Sequence, residues 1–88
     1  MKDRIKQIAD HFGLVQDKKL GEEVIELVIA DSKKANKYFT GEAADVLILI
    51  MQRMYQRGVT EEELEKAIDF KLDRTLERIK EGYYEHNK

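Results

Sequence analysis

The sequence predicts an all-α fold, an antiparallel bundle of about four helices forming one domain over residues 1–88 and completed by oligomerisation. Three observations predict it. Apolar residues recur at three- and four-residue steps and show no strand-like alternation. The chain has no proline, and its five glycines fall near where the apolar pattern restarts or ends. Its 88 residues are 39% charged and 42% hydrophobic, a mixture suited to one small soluble core and to neither a disordered chain nor a membrane protein.

From Met1 to Phe12, the residues Ile5, Ile8, Ala9 and Phe12 line one helical face. A second helix is expected from about Lys18 to Lys34. A third is expected from about Gly41 to Arg57, with Thr40 as its cap and Gly58 as its stop. Tyr38 and Phe39 then fall between these helices, where anchoring the turn is the ordinary use of an aromatic and stacking on a base the rarer one. The fourth helix opens on Thr60-Glu61-Glu62-Glu63, a capping box in which threonine and glutamate satisfy each other's helix-end donors. Leu64, Ile68, Leu72, Leu76, Ile79 and Tyr83 continue it as one long amphipathic helix. Short connections predict antiparallel neighbours. Ala43, Ala44, Val46, Leu47, Ile48, Leu49, Ile50, Met51 and Met54 spread over most of the third helix, so it must be central. In so small a domain the expected cover is another copy of the chain, in a homodimer or a homotetramer.

Composition removes several functions. Sixteen Lys and Arg against 18 Asp and Glu give a net charge of -2, with no positive excess to hold a nucleic-acid backbone. The longest apolar run, Val46 to Met51, falls far short of the roughly 20 residues that span a bilayer. Met1-Lys2-Asp3-Arg4 leads into an amphipathic segment and lacks the apolar block of a secretory signal, so a cytoplasmic location is expected. Without cysteine there are no disulfides, thiolate metal sites or cysteine nucleophiles. His11 and His86 have no second histidine at helical spacing and no glutamate three residues ahead, which removes imidazole zinc sites and a di-iron bundle. Oxygen ligands remain.

Two carboxylate pairs stand out. Glu23 and Glu26 on the second helix are three apart, about 60° from each other around the axis, and Glu42 and Asp45 on the third are related in the same way. Antiparallel packing lets all four converge on one volume, where they repel unless cations occupy it. Mg²⁺ suits such a site, because it takes carboxylate oxygens while keeping waters and phosphates as further ligands. On the second helix Glu22, Glu23 and Glu26 are flanked by Ile25, Ile29, Leu27 and Ala30, an unusual wall for a solvated acidic stripe. Glu42 and Asp45 share their side with Gln52, Arg53 and Gln56, and spacing alone leaves a solvated face open there.

Glu22-Glu23-x-x-Glu26, a gap of 15 residues, then Glu42-x-x-Asp45-Val46-Leu47, resembles the signature of the MazG-like all-α nucleotide pyrophosphohydrolases. Lys71-x-x-Arg74-x-x-x-Arg78 is similar to the basic positions of that family's closing helix, although Asp69 stands where the family often has Asn. Gly82-Tyr83-Tyr84-Glu85 and the short length resemble its compact, often phage-borne members. The resemblance implies Mg²⁺-dependent hydrolysis of nucleoside triphosphates between the α and β phosphates, with Mn²⁺ able to substitute. By position it implies Glu23, Glu26, Glu42 and Asp45 as metal ligands, Glu22 as the base or as an orienting group, and Lys71 and Arg74 as phosphate donors. Lys18 and Lys19 read as surface lysines. A related enzyme acting on phosphoribosyl-ATP is the nearest rival, and a non-catalytic helical adaptor or regulator the rival from another class.

Overall fold

The computed structural model describes residues 1–33 and 35–82. Lys34, expected to end the second helix, and the closing Tyr83-Tyr84-Glu85 with His86 lie outside the described residues. Among the described residues four helices occur in order, α1 over Lys2–Phe12, α2 over Asp17–Ser32, α3 over Asn36–Gln56 and α4 over Glu61–Lys80. No strand occurs among the described residues, and none of these helices is long and apolar enough to cross a membrane. The chain forms two compact units, Met1–Gly58 and Val59 onward.

In the first unit α3 is central, with α1 and α2 each packed on it rather than on one another. Asp17 at the start of α2 accepts a hydrogen bond of 2.7 Å from the Arg53 guanidinium near the end of α3, so the two helices run antiparallel. The other guanidinium nitrogen of Arg53 donates to the Val15 carbonyl. Arg53 thus ties α3 to the start of α2. Gln56, one turn on, serves α1: its amide accepts from the Val15 N–H at 3.1 Å and donates to the carbonyls of Ala9 and Gly13. Ile5, Ala9, Val15, Ala30 and Val46 form the buried apolar core. Ile8 and Phe12, expected on the same inward face of α1, are exposed, because the strip that meets α3 is only wide enough for Ile5 and Ala9.

Two boundaries depart from expectation. Helix α3 begins at Asn36, five residues before Gly41, with Ala35 extended as its cap and the Phe39 N–H donating to the Ala35 carbonyl at 3.1 Å. Thr40 therefore lies inside the helix and caps nothing, and Tyr38 and Phe39 stand in the first turn of α3 rather than in a loop. The physical reason is that a helical glycine costs only about 1 kcal/mol relative to alanine and does not break a helix whose neighbours favour it. Gly21 lies inside α2 for the same reason. At Gly58 the chain does need glycine: φ is 73°, and its N–H donates to the Tyr55 carbonyl at 3.1 Å, which closes α3.

The second unit is helix α4. The Thr60 hydroxyl accepts from the Glu63 N–H at 3.1 Å, the threonine half of the expected capping box. Ile68, Leu72, Leu76 and Ile79 are all exposed, and no residue of α4 is buried.

Candidate metal centre

Antiparallel packing of α2 on α3 brings Glu42, in the second turn of α3, to the face of α2 that carries Glu23 and Glu26. One carboxylate oxygen from each of Glu23, Glu26 and Glu42 lies within 4.8 Å of the other two. Glu23 is buried, Glu42 half-buried and Glu26 exposed. Three acids at that separation repel one another, and their environment divides the burden unequally.

Glu23 is held by a partner. The Lys19 ammonium, one turn earlier on α2, sits 2.8 Å from its Oε1. That hydrogen bond and charge keep the Glu23 carboxyl below its ordinary range, against the opposing effect of burial. The same bond raises the Lys19 amine. Glu26 carries the opposite shift. The charge of Glu23 pushes its carboxyl above the ordinary range, and burial, a proton shared with Glu23 and the proximity of Glu42 push the same way. A proton or a cation at Glu26 relieves the whole cluster.

The remaining oxygens favour the cation. Glu23 Oε2 and Glu42 Oε2 are buried with no hydrogen-bond partner. A buried carboxylate oxygen left unpaired is costly, and a hard cation bound by oxygen ligands satisfies several such atoms at once. The donor set is all oxygen and carries excess negative charge, so the residues present fit Mg²⁺ or a similar ion.

Asp45 is exposed and lies outside this cluster. Around α3, Glu42, Val46 and Arg53 fall within about 40° on the side that meets α2, whereas Asp45 is turned about 60° from Glu42 toward the strip of Gln52 and Gln56. Glu22 is exposed, also outside the cluster, and its charge acts on Lys19. Lys71 and Arg74 lie exposed on α4, in the second unit, about 60° apart around its axis. Sequence reasoning left Lys19 as a surface lysine, although its i,i+4 spacing to Glu23 was the signal for the pair.

The sequence model of the phosphoribosyl-ATP pyrophosphohydrolase family matches residues 5–71, about three quarters of the chain. The chain belongs to that family, which is part of the MazG-like all-α NTP pyrophosphohydrolase superfamily. Neither a curated protein nor a solved structure matches it. The protein is therefore a pyrophosphohydrolase, a hydrolase of phosphoanhydride bonds, of a metal-dependent family and with a nucleotide as its substrate.

Proposed function

We propose that the protein hydrolyses nucleoside triphosphates between the α and β phosphates, releasing a nucleoside monophosphate and pyrophosphate, with Mg²⁺ as cofactor. The observation that carries this reading is the carboxylate cluster of Glu23, Glu26 and Glu42, with two buried oxygens that lack partners, in a chain of pyrophosphohydrolase descent. Glu23, Glu26 and Glu42 hold the metal; Asp45, one turn further along α3 and outside that cluster, is not among these three ligands. Mg²⁺ held there neutralises phosphate charge and makes a bound water more acidic. Glu22, exposed beside the cluster, accepts the proton of the attacking water. The enzyme acts in the cytoplasm as a homodimer or homotetramer and binds no nucleic acid.

A second reading is favoured by the family match itself. Phosphoribosyl-ATP carries the same phosphoanhydride, and its cleavage needs the same cluster. Pyrophosphate release from ribo- and deoxyribonucleoside triphosphates and from phosphoribosyl-ATP, with and without Mg²⁺, separates the two. The expected result is Mg²⁺-dependent turnover of one or more simple triphosphates that Glu23→Gln abolishes in a folded protein. Turnover of phosphoribosyl-ATP alone would establish the second reading. A Glu23→Gln protein with the wild-type response to Mg²⁺ and no turnover by either form would refute both and favour an adaptor.

A further inference from the structure

Beside the carboxylate cluster, a cavity of about 180 Å³ opens toward the α2–α3 turn, lined by Glu26, Ile29, Ala30, Lys33, Tyr38 and Glu42. It shares Glu26 and Glu42 with the cluster, so whatever occupies it is contiguous with the phosphates in the reading above, on which this inference rests. Tyr38 was expected to anchor the turn. Instead the residue is 63% exposed and forms a wall of the cavity, with the Lys33 ammonium 5.9 Å from the ring centroid.

We propose that this cavity seats the nucleobase of the substrate, with Tyr38 as the stacking platform and Lys33 as a donor to the base edge. Volume limits the occupant: sites for a whole small-molecule ligand run to about 300–1,000 Å³, so this one takes a part of the nucleotide. Charge selects which part. Glu26 and Glu42 belong to the metal cluster, where the phosphates are held, and the rest of the lining apart from Lys33 is uncharged, which suits an uncharged base. Chemistry agrees, since Tyr38, Ile29 and Ala30 offer the aromatic and aliphatic surfaces on which bases stack. Position agrees as well. Glu26 and Lys33 are two turns apart on one face of α2, so the cavity extends roughly 10 Å from the cluster along that helix. The lysine ammonium donates and cannot accept, so bases with a carbonyl oxygen or bare ring nitrogen on the facing edge are favoured.

The test compares wild type, Tyr38→Ala, Tyr38→Phe and Lys33→Met on a panel of nucleoside triphosphates and on methyl triphosphate, which has no base. Tyr38→Ala is expected to raise KM for the best nucleotide about ten-fold, the usual scale of one lost stacking contact, with kcat retained. Tyr38→Phe recovers most of that affinity, Lys33→Met narrows the differences between bases, and methyl triphosphate kcat/KM is unchanged throughout. Unaltered KM for every nucleotide in Tyr38→Ala would overturn the seat. So would an equal loss on methyl triphosphate, which would make the ring a support of the cluster. Absence of wild-type turnover on any triphosphate would refute the nucleoside triphosphate reading alone. The seat is then decided by titrating a nucleoside monophosphate and following the backbone amides: shifts at Lys33 and Tyr38 sustain it, and shifts confined to other residues overturn it.

Discussion

At the scale of single residues, Glu26 absorbs the conflict among the three acids. Glu23 keeps its charge because Lys19 donates to it, so the repulsion is expressed as a raised carboxyl on Glu26. A metal entering the cluster must displace any proton held there. The folded-state pKa of Glu26 is raised, so below it the free protein holds that proton and binds metal more weakly, and above it the carboxylate is free. Mg²⁺ affinity is therefore expected to rise with pH through the raised Glu26 value and level off above it. Calorimetric titration across mildly acidic to neutral pH reads this directly, with proton release on binding largest at the acidic end. Affinity that does not vary with pH over that interval would remove Glu26 from the ligand set. Glu23, Glu26 and Glu42 were legible in the sequence because helical spacing fixes which carboxylates share a face. Spacing did not say where on α3 the contact with α2 is centred. That contact turns Asp45 away from the cluster, and only packing determines it.

At the scale of elements, glycine divides into two kinds that the sequence alone does not distinguish. Gly58 has a φ of 73°, in the left-handed region, where a Cβ is strained even though nothing lies within 4 Å of the position. Gly21 lies inside α2 with equally open surroundings and no such conformation. Gly58→Ala is expected to lower stability by about 1–2 kcal/mol. Gly21→Ala is expected to raise it by about 0.5–1 kcal/mol, because alanine loses less backbone freedom in a helix. Urea denaturation of the two variants checks both signs. Destabilisation by Gly21→Ala would mean that this side of α2 lies against a surface that a single chain does not show. The same distinction explains the boundary errors. The start of α4 was legible because a threonine cap is a local device that its own hydrogen bond satisfies. The start of α3 was not, because Asn36 to Phe39 carry no local cap and their helical state is settled by joining the longer helix behind them.

At the scale of the whole molecule, α1, α2 and α3 leave more apolar surface than they cover among themselves. Val24, Val28 and Ile25 fall within an arc of about 100° on α2, and all three are exposed. On α3 Leu47, Ile48 and Ile50 are exposed as well, the residues from which a central, covered helix was expected. The buried apolar core consists of Ile5, Ala9, Val15, Ala30 and Val46, a small core for a chain of this length. A second copy applied to α2 would cover the Val28 arc, which is turned about 140° from Glu23 and leaves the carboxylate cluster open. Sedimentation equilibrium is expected to give a dimer or a tetramer of the 10.3 kDa chain. Val28→Glu is expected to shift it to monomer. The substitution also separates assembly from intrinsic stability. At an exposed position in a helix, valine to glutamate changes the stability of a single chain by no more than about 0.5 kcal/mol. A larger, concentration-dependent fall in Tm in Val28→Glu therefore measures the lost interface. A wild type that stays monomeric across the micromolar range, with Val28→Glu melting alongside it, would show that the exposed arc on α2 does not mediate self-association.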